Sequence, residues 1–266
     1  MCGRSLPLAG KEKKEQRRAR TGSGRRIGQA AHCLTVSQSG LPPQRPRAPR
    51  RGGYGHGVLD EATFAASAAE LCAADPDLAA IVSTHGLPEF WAREPGFATL
   101  VLLILEQQVS LASAKAAYGR LAARIGEVTP EGVLGSTDEE LRADGFSRQK
   151  NRYVRALSTA VVERSLELEV LESLDDDGVR TALVALPGIG PWTAEVYLLS
   201  ALRRPDTWPV GDIALQEAAR RSRGLAERPS PEELDRIGDA WRPHRASAAR
   251  ILWHLYLSEP RRVSSA

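Results

Sequence analysis

Leu186-Pro-Gly-Ile-Gly-Pro-Trp-Thr-Ala194 is the stretch on which the reading of this 266-residue chain turns. Pro187-Gly-Ile-Gly190 separates two helix-like segments, Asp175–Leu186 before it and a run opening on Pro191 after it. Proline suits the first position of a helix, where its missing N–H would have no partner anyway. Gly188 and Gly190 permit a tight hairpin and the close approach of another backbone, with Ile189 between them as an inward plug. The first amides of the following helix, at Gly190, Trp192 and Thr193, then point outward at the positive end of its dipole, an anion site suited to a phosphate. A plain turn between helices, closed by a glycine, accounts for the same letters.

The next dense patch is Trp208-Pro-Val-Gly-Asp212, followed by Ile-Ala-Leu-Gln. Asp212 stands just ahead of a helix-like run, where an Asp ordinarily serves as the N-cap. It also falls 20 residues after Trp192, where the chain returns from the hairpin's second helix. A carboxylate beside a phosphate-binding turn repels the ligand. Stabilising a sugar that develops positive charge would give it a purpose.

From Val58 on, the pattern is helical almost throughout, and no segment alternates with the period of a strand. Helices are expected over Asp60–Ala74, in a short segment to about Ser83, over Phe97–Gln107 and over Leu111–Ile125, which stops at Gly126. Phe97–Gln107 is apolar on all sides, as a central buried helix is. Ser136-Thr-Asp-Glu139 reads as a capping box for a short helix ending near Gly145, and Ser147 as the cap of a long one to about Arg164. Ser230-Pro-Glu-Glu233 repeats the logic, and a last helix is expected over about Pro243–Leu257. The sum is an all-α domain of about ten helices across residues 58–266.

Residues 1–57 differ. They hold 13 Lys and Arg against 2 Asp and Glu, a net +11, whereas the other 209 residues hold 23 against 31, a net −8. KEKKEQRRAR, GSGRR and LPPQRPRAPRRGG supply too little apolar area to offset the entropy of ordering, so a disordered basic tail is expected here. Met1 is the single methionine, which fits a native chain that starts near Val58. The longest apolar run, Leu100–Leu105, is far below the ~20 residues that cross a bilayer, and Met1–Gly10 has no signal-peptide core. A cytoplasmic protein, nucleoid-associated if bacterial, is expected. Cys2, Cys33 and Cys72 are scattered and odd in number, against a disulfide framework or a cysteine-held metal.

The segment LPGIGPWTAEVYLLSALRRPDTWPVGD (186–212) resembles the helix–hairpin–helix (HhH-GPD) DNA glycosylases, with their Gly/Pro-rich hairpin and catalytic Asp. Within that superfamily it looks most like the 3-methyladenine DNA glycosylase II (alkylbase) branch. LEQQVSL (105–111), GFSRQKNRYVRA (145–156) and Trp241-Arg-Pro-His-Arg with Ile251-Leu-Trp253 add to the resemblance, which covers about residues 95–257. It implies a two-lobed helical fold. It also implies a monofunctional enzyme, acting as a monomer on damaged double-stranded DNA without cofactor or metal. The reaction would be hydrolysis of the N-glycosidic bond of alkylated purines in base excision repair.

The resemblance also assigns roles. Asp212 becomes the catalytic carboxylate, and Trp192 and Trp253 align with the aromatics of the base pocket, with Val196, Tyr197 and Trp208 as further lining. Gly188, Ile189, Gly190 and Thr193 would grip DNA through the hairpin. Gln107, Gln108 and Ser110 form the corner that enters the minor groove, and Arg148 and Lys150 lie where the backbone runs, with Arg152, Arg155, Arg220, Arg221 and Arg223 as further basic residues. Tryptophans on apolar helices are more often core, a Gln pair at a helix end is ordinary surface, and charge runs are usually solvated.

Several departures narrow the reading. Bifunctional members carry a Lys nucleophile in the hairpin, where this chain has Trp192, and often a four-Cys cluster, whereas no Cys follows Cys72. Val196 stands where the branch often has Tyr, and Glu106 where Gly is expected. Two alternatives stay open: a superfamily member acting on oxidised or mismatched bases, and a non-catalytic DNA-binding module.

Overall fold

A computed structural model of the chain describes residues 57–259, so the expected tail lies outside the described residues except for Gly57. Thirteen α-helices and one 3-10 turn, and no strand, occur among the described residues. The chain opens with α1 (Glu61–Ala74), α2 (Pro76–His85), α3 (Phe97–Glu106) and α4 (Leu111–Ile125). Two short helices, α5 (Pro130–Leu134) and α6 (Asp138–Ala143), lead to the long α7 (Arg148–Val162). After the single turn α8 (Leu168–Leu171), α9 (Asp176–Val184) and α10 (Pro191–Ser200) flank the glycine hairpin. α11 (Ile213–Ser222), α12 (Pro231–Gly238) and α13 (Arg245–Ser258) complete the described chain.

Local sequence explains most boundaries. Asp60 and Thr63 form a capping box ahead of α1, and the Asp75 carboxylate accepts from the Asp77 and Leu78 amides to start α2. The expected box at Ser230 and Glu233 forms, with Ser230 N donating to Glu233 at 2.8 Å. The box expected at Ser136–Glu139 sits one residue later, on Thr137 and Glu140. Both registers read as Ser/Thr three residues before Glu. Tertiary contacts decide between them, because the buried Ser136 hydroxyl is already used, donating to the Gly132 carbonyl and accepting from Arg124.

Two apolar clusters organise the helices. One gathers α3, α4, α7, α9 and α10, with Leu100, Val101, Leu103 and Ile104 of α3 fully buried at its centre. The other gathers α1, α2, α11 and α13 with Trp208 and Trp241. α10 serves both: Tyr197 and Leu198 face the first cluster and Leu199 the second. The two-lobed division therefore has α10 as its shared wall. The helices missed by periodicity, α5 and α8, are five and four residues long. Such pieces are too short to show a repeat of 3.6.

Candidate active site

The hairpin is built by exclusion of side chains. Gly188 has φ +87°, and a Cβ there would overlap the ring of Tyr153 on α7, so the backbone lies flat on that ring. Ile189 is buried in the first cluster, as its plug reading requires. Gly190 is the N-cap of α10 with φ −95°, and no side chain caps the helix there. The amides of the first turn of α10 are therefore left for an external acceptor, at the end where the helix dipole favours negative charge.

Gln107 locks the corner to this hairpin. Its Nε2 donates to the Gly188 carbonyl at 2.8 Å and to Thr193 Oγ1 at 3.1 Å. This corrects two expectations: Gln107 is a brace rather than a free reader of the groove, and the Thr193 side chain is buried, leaving only its amide for a ligand. Gln108 is exposed with φ +59°, which turns the chain outward, and the exposed Ser110 caps α4 by accepting from Ser113 N. Val109 and Leu111 are exposed beside Gln108, an apolar tip that the sequence reading did not single out. Glu106 is held in a two-pronged ion pair by Arg93, at 2.9 and 3.1 Å, which orders the corner in this chain.

Asp212 is the meeting point of the two lobes. It caps α11, accepting from Leu215 N at Oδ1 over 2.8 Å. The same Oδ1 accepts from Trp253 Nε1 of α13 at 3.1 Å, and Oδ2 accepts from Trp192 Nε1 of α10 at 2.8 Å. The N-cap reading of Asp212 holds, and the same side chain also joins tryptophans of two other helices. Oδ1 has two donors and Oδ2 one, so Oδ2 keeps a free lone pair. Two tryptophans and a carboxylate from three helices share one partly exposed seam next to the hairpin.

Other expected lining residues belong to the cores. Val196 packs in the first cluster. Tyr197 is fully buried, its hydroxyl accepting from Gly96 N at 3.0 Å, and burial raises its phenol above the usual range. Trp208 donates its indole N–H to the Leu234 carbonyl and stands edge-on to Trp241, filling the space that Gly238 leaves open. An amphipathic helix alone does not say which tryptophans face a seam, and these three positions are corrected on burial.

The basic residues sort in the same way. Lys150 does not reach outward: its Nζ donates to the Leu105 carbonyl at 2.6 Å, at the C-terminal end of α3, and burial pulls its pKa down. Arg220 and Arg221 clamp Glu217, whose carboxyl falls to about 2. Arg223 pairs with Asp75 and Asp77. Arg148 is exposed and has no carboxylate partner among the described residues.

Trp91 is the ring that sequence reasoning missed. It lies on the loop between α2 and α3, is 37% exposed, and leans on Trp253 with ring centres 6.0 Å apart. Behind it sits Arg250, 2% exposed, stacked on Trp91 at 4.5 Å and on Phe90 at 4.8 Å, and donating to the Trp91 carbonyl. Burial lowers Arg250 to a pKa of about 10. A Trp shortly ahead of the apolar α3 and an Arg within the apolar stretch of α13 were the available signals, but only the fold pairs them. Among the described residues no group of His, Cys, Asp and Glu could hold a metal, and no helix is long and apolar enough to cross a membrane.

Comparison with known proteins bears on family and fold. The pattern of the HhH-GPD superfamily of base excision DNA repair proteins matches residues 101–243. A Mycobacterium tuberculosis protein described as "Probable bifunctional transcriptional activator/DNA repair enzyme AlkA" is 34% identical over 197 residues, 69% of this chain and 38% of the relative. The chain spans about half the length, or less, of the curated relatives it first matches. The crystal structure of a DNA-3-methyladenine glycosidase from Bacillus halodurans superposes with a TM-score of 0.62 at 32% identity, covering 71% of this chain and 88% of that one. The Schizosaccharomyces pombe 3-methyladenine DNA glycosylase Mag1, solved with abasic DNA, superposes with a TM-score of 0.66 at 23% identity over 71% of this chain and 95% of that one, a likeness of fold. By sequence pattern and by fold, the chain belongs to the HhH-GPD superfamily of base excision DNA repair proteins.

Proposed function

We propose that the chain is a monofunctional DNA glycosylase that hydrolyses the N-glycosidic bond of alkylated purines, 3-methyladenine-type lesions, acting as a monomer on damaged double-stranded DNA. The observation that carries this reading is Asp212, held by the indole N–H groups of Trp192 and Trp253 beside the uncapped hairpin helix. The relatives named as 3-methyladenine glycosylases support the choice of substrate class.

The chemistry follows from charge. A purine alkylated at N3 or N7 is cationic, so it departs as a neutral base, taking the electron pair of the C1′–N bond. The deoxyribose is left with oxocarbenium character, a charge for which the acceptor-only oxygens of Asp212 are a suitable partner. Water then adds to C1′ and gives up its proton, with Oδ2, the oxygen holding a free lone pair, as the acceptor. The hairpin offers an indole and no amine at Trp192, so water rather than a lysine is the nucleophile. For this the nucleotide must leave the stack, and the partly exposed Trp192 and Trp253 offer its base electron-rich faces. The α10 amides, Arg148 and the corner at Gln108 hold the duplex.

Mass spectrometry of free bases released from methylated genomic DNA tests the proposal. Wild type is expected to release 3-methyladenine, and Asp212→Asn to release none while still binding duplex. Release by Asp212→Asn at the wild-type rate would refute the catalytic assignment. Release of only oxidised or mismatched bases from defined duplexes would move the enzyme to another lesion class.

A further inference from the structure

Ala248, Ala249, Ile251 and Leu252 of α13 are buried apolar residues, and among them stands a guanidinium, that of Arg250. No carboxylate pairs with it among the described residues. Its terminal N–H groups donate to the carbonyls of Trp91 at 2.8 Å and Leu199 at 3.1 Å, while its Nε is buried with no hydrogen-bond partner. The rings of Phe90 and Trp91 cover it. Burying an unpaired charge is costly, and an apolar side chain of similar volume would fill this place at lower cost. The other cation at the Trp91 ring, Arg93 at 6.0 Å, is neutralised by Glu106. Arg250 therefore leaves a net positive charge against Trp91.

That charge connects to Asp212 through two indoles. Arg250 and Trp253 stand at i and i+3 of α13, on one face. Trp253 donates its indole N–H to Asp212 at 3.1 Å, and its ring centre lies 6.0 Å from that of Trp91. The Trp91 ring centre in turn lies 4.5 Å from Arg250 Cζ. Carboxylate, indole, indole and guanidinium thus follow one another in contact, with the negative end at Asp212 and the positive end beyond the rings.

We infer that Arg250 is a positioning residue for base release: acting through Trp91 without touching the base, it drives positive charge from the base toward Asp212. The inference rests on the glycosylase reading of this seam. When a cationic purine departs, the electron pair of the C1′–N bond goes to the purine, which becomes neutral, and the positive charge passes to the deoxyribose. Electron-rich rings alone favour the charged base over the neutral one, and so hold the reactant more tightly than the transition state. A fixed cation against the rings repels the charge on the bound base, and that repulsion fades as the bond breaks, which is selective destabilisation of the reactant. For a base that is neutral before cleavage, the same cation attracts the arriving electron pair and leaves reactant binding untouched. One unit charge at ~10 Å, with an effective dielectric of ~20, corresponds to about a 5–20-fold change in rate.

The test is single-turnover base release from two duplexes, one carrying cationic 7-methylguanine and one carrying neutral hypoxanthine. Wild type is compared with R250Q, whose amide can still donate to the Trp91 carbonyl. On 7-methylguanine, R250Q should lower the maximal rate about 5–20-fold and also lower the half-saturating enzyme concentration, the pair of changes that marks relief of reactant strain. On hypoxanthine the rate should fall by a similar factor, with half-saturation within about 2-fold of wild type. A strap that only holds Trp91 in place predicts a higher half-saturating concentration on both duplexes. That result overturns the inference, and so does a maximal rate on 7-methylguanine within about 2-fold of wild type. R250K keeps the charge when protonated, and a buried amine gains its proton as pH falls. Its rate relative to wild type should stay near one, or rise toward it from about pH 8 to pH 6; the ratio cancels any titration of Asp212, His85 and His254, which both proteins carry. A ratio below about one third throughout overturns the inference even where R250Q does not fold. Release of neither base by wild type would sink the glycosylase reading and this inference together, whereas an active wild type without the R250Q effect sinks the inference alone.

Discussion

Replacing Asp212 by Asn turns the seam between the lobes into a clash of donors, and a second substitution should relieve it. In the native arrangement three N–H groups point at two carboxylate oxygens. In Asp212→Asn the carbonyl oxygen can stay with Leu215 N and Trp253 Nε1, which leaves the new NH2 facing the Trp192 indole N–H. The flipped amide is worse, since NH2 would then meet two donors. Trp192→Phe alone removes one charge-assisted hydrogen bond. The site is partly exposed and water can substitute, so the low end of the usual range applies, ~1–1.5 kcal/mol. Asp212→Asn alone loses that bond and leaves two donors opposed, ~2 kcal/mol. In the double variant the opposing donor is gone, so it should be more stable than Asp212→Asn by ~1 kcal/mol. The coupling, ~2 kcal/mol, lies within the range for residues in one hydrogen-bonded unit. Urea unfolding followed by far-ultraviolet circular dichroism reads all four proteins, with equal m-values as the check on two-state behaviour. Single effects that add to within ~0.5 kcal/mol, or a double variant less stable than Asp212→Asn, would refute the geometry on which the proposed chemistry depends.

Four further outcomes are expected. Gly188→Ala, which forces a side chain into a φ of +87° and against Tyr153, should cost ~2–4 kcal/mol of stability, and Tyr153→Ala in the same chain should recover part of it in thermal melts. Gly190→Asp meets open space at an extended N-cap, so stability should hold or rise by up to ~1 kcal/mol, while the added charge at the α10 amides lowers duplex affinity in an anisotropy titration; unchanged affinity would remove the hairpin from the DNA-binding surface. Glu217 has its carboxyl lowered to about 2 by Arg220 and Arg221. That contribution is complete above the ordinary carboxylate value and is lost as pH falls toward 2, so Glu217→Gln should flatten the acid limb of stability between about pH 5 and pH 2. Trp91→Leu should raise KM for a lesion-bearing duplex about 2–10-fold with little change in kcat, the loss of one aromatic contact; an unchanged KM would place Trp91 outside the base site.

Much of this protein is local in origin. The hairpin from Leu186 to Pro191, the caps at Ser147 and Ser230, and the buried α3 follow from short-range rules: where glycine alone fits, which side chain reaches the third amide, which segment has no polar face. These are properties of a few neighbouring residues, legible in the letters alone, and so is the all-helical class. The offset from Trp192 to Asp212 and its likeness to the superfamily pointed to the carboxylate in the same way. Partners far apart along the chain are a different matter. Whether Trp192, Trp253 and Trp208 line a seam or fill a core depends on which face each helix buries, and α10 buries both of its faces. Gln107 became a brace, Lys150 a helix-end ligand and Arg223 a clamp only because the fold set an acceptor within 3 Å or so of each. Trp91 gained its place through an arginine 159 positions away, since the hydrogen bond from Arg250 exists only once α13 packs against that loop. Hydrogen bonds and ring contacts act over a few ångströms in space, and the distance along the chain between their members carries no information about them until the helices are packed.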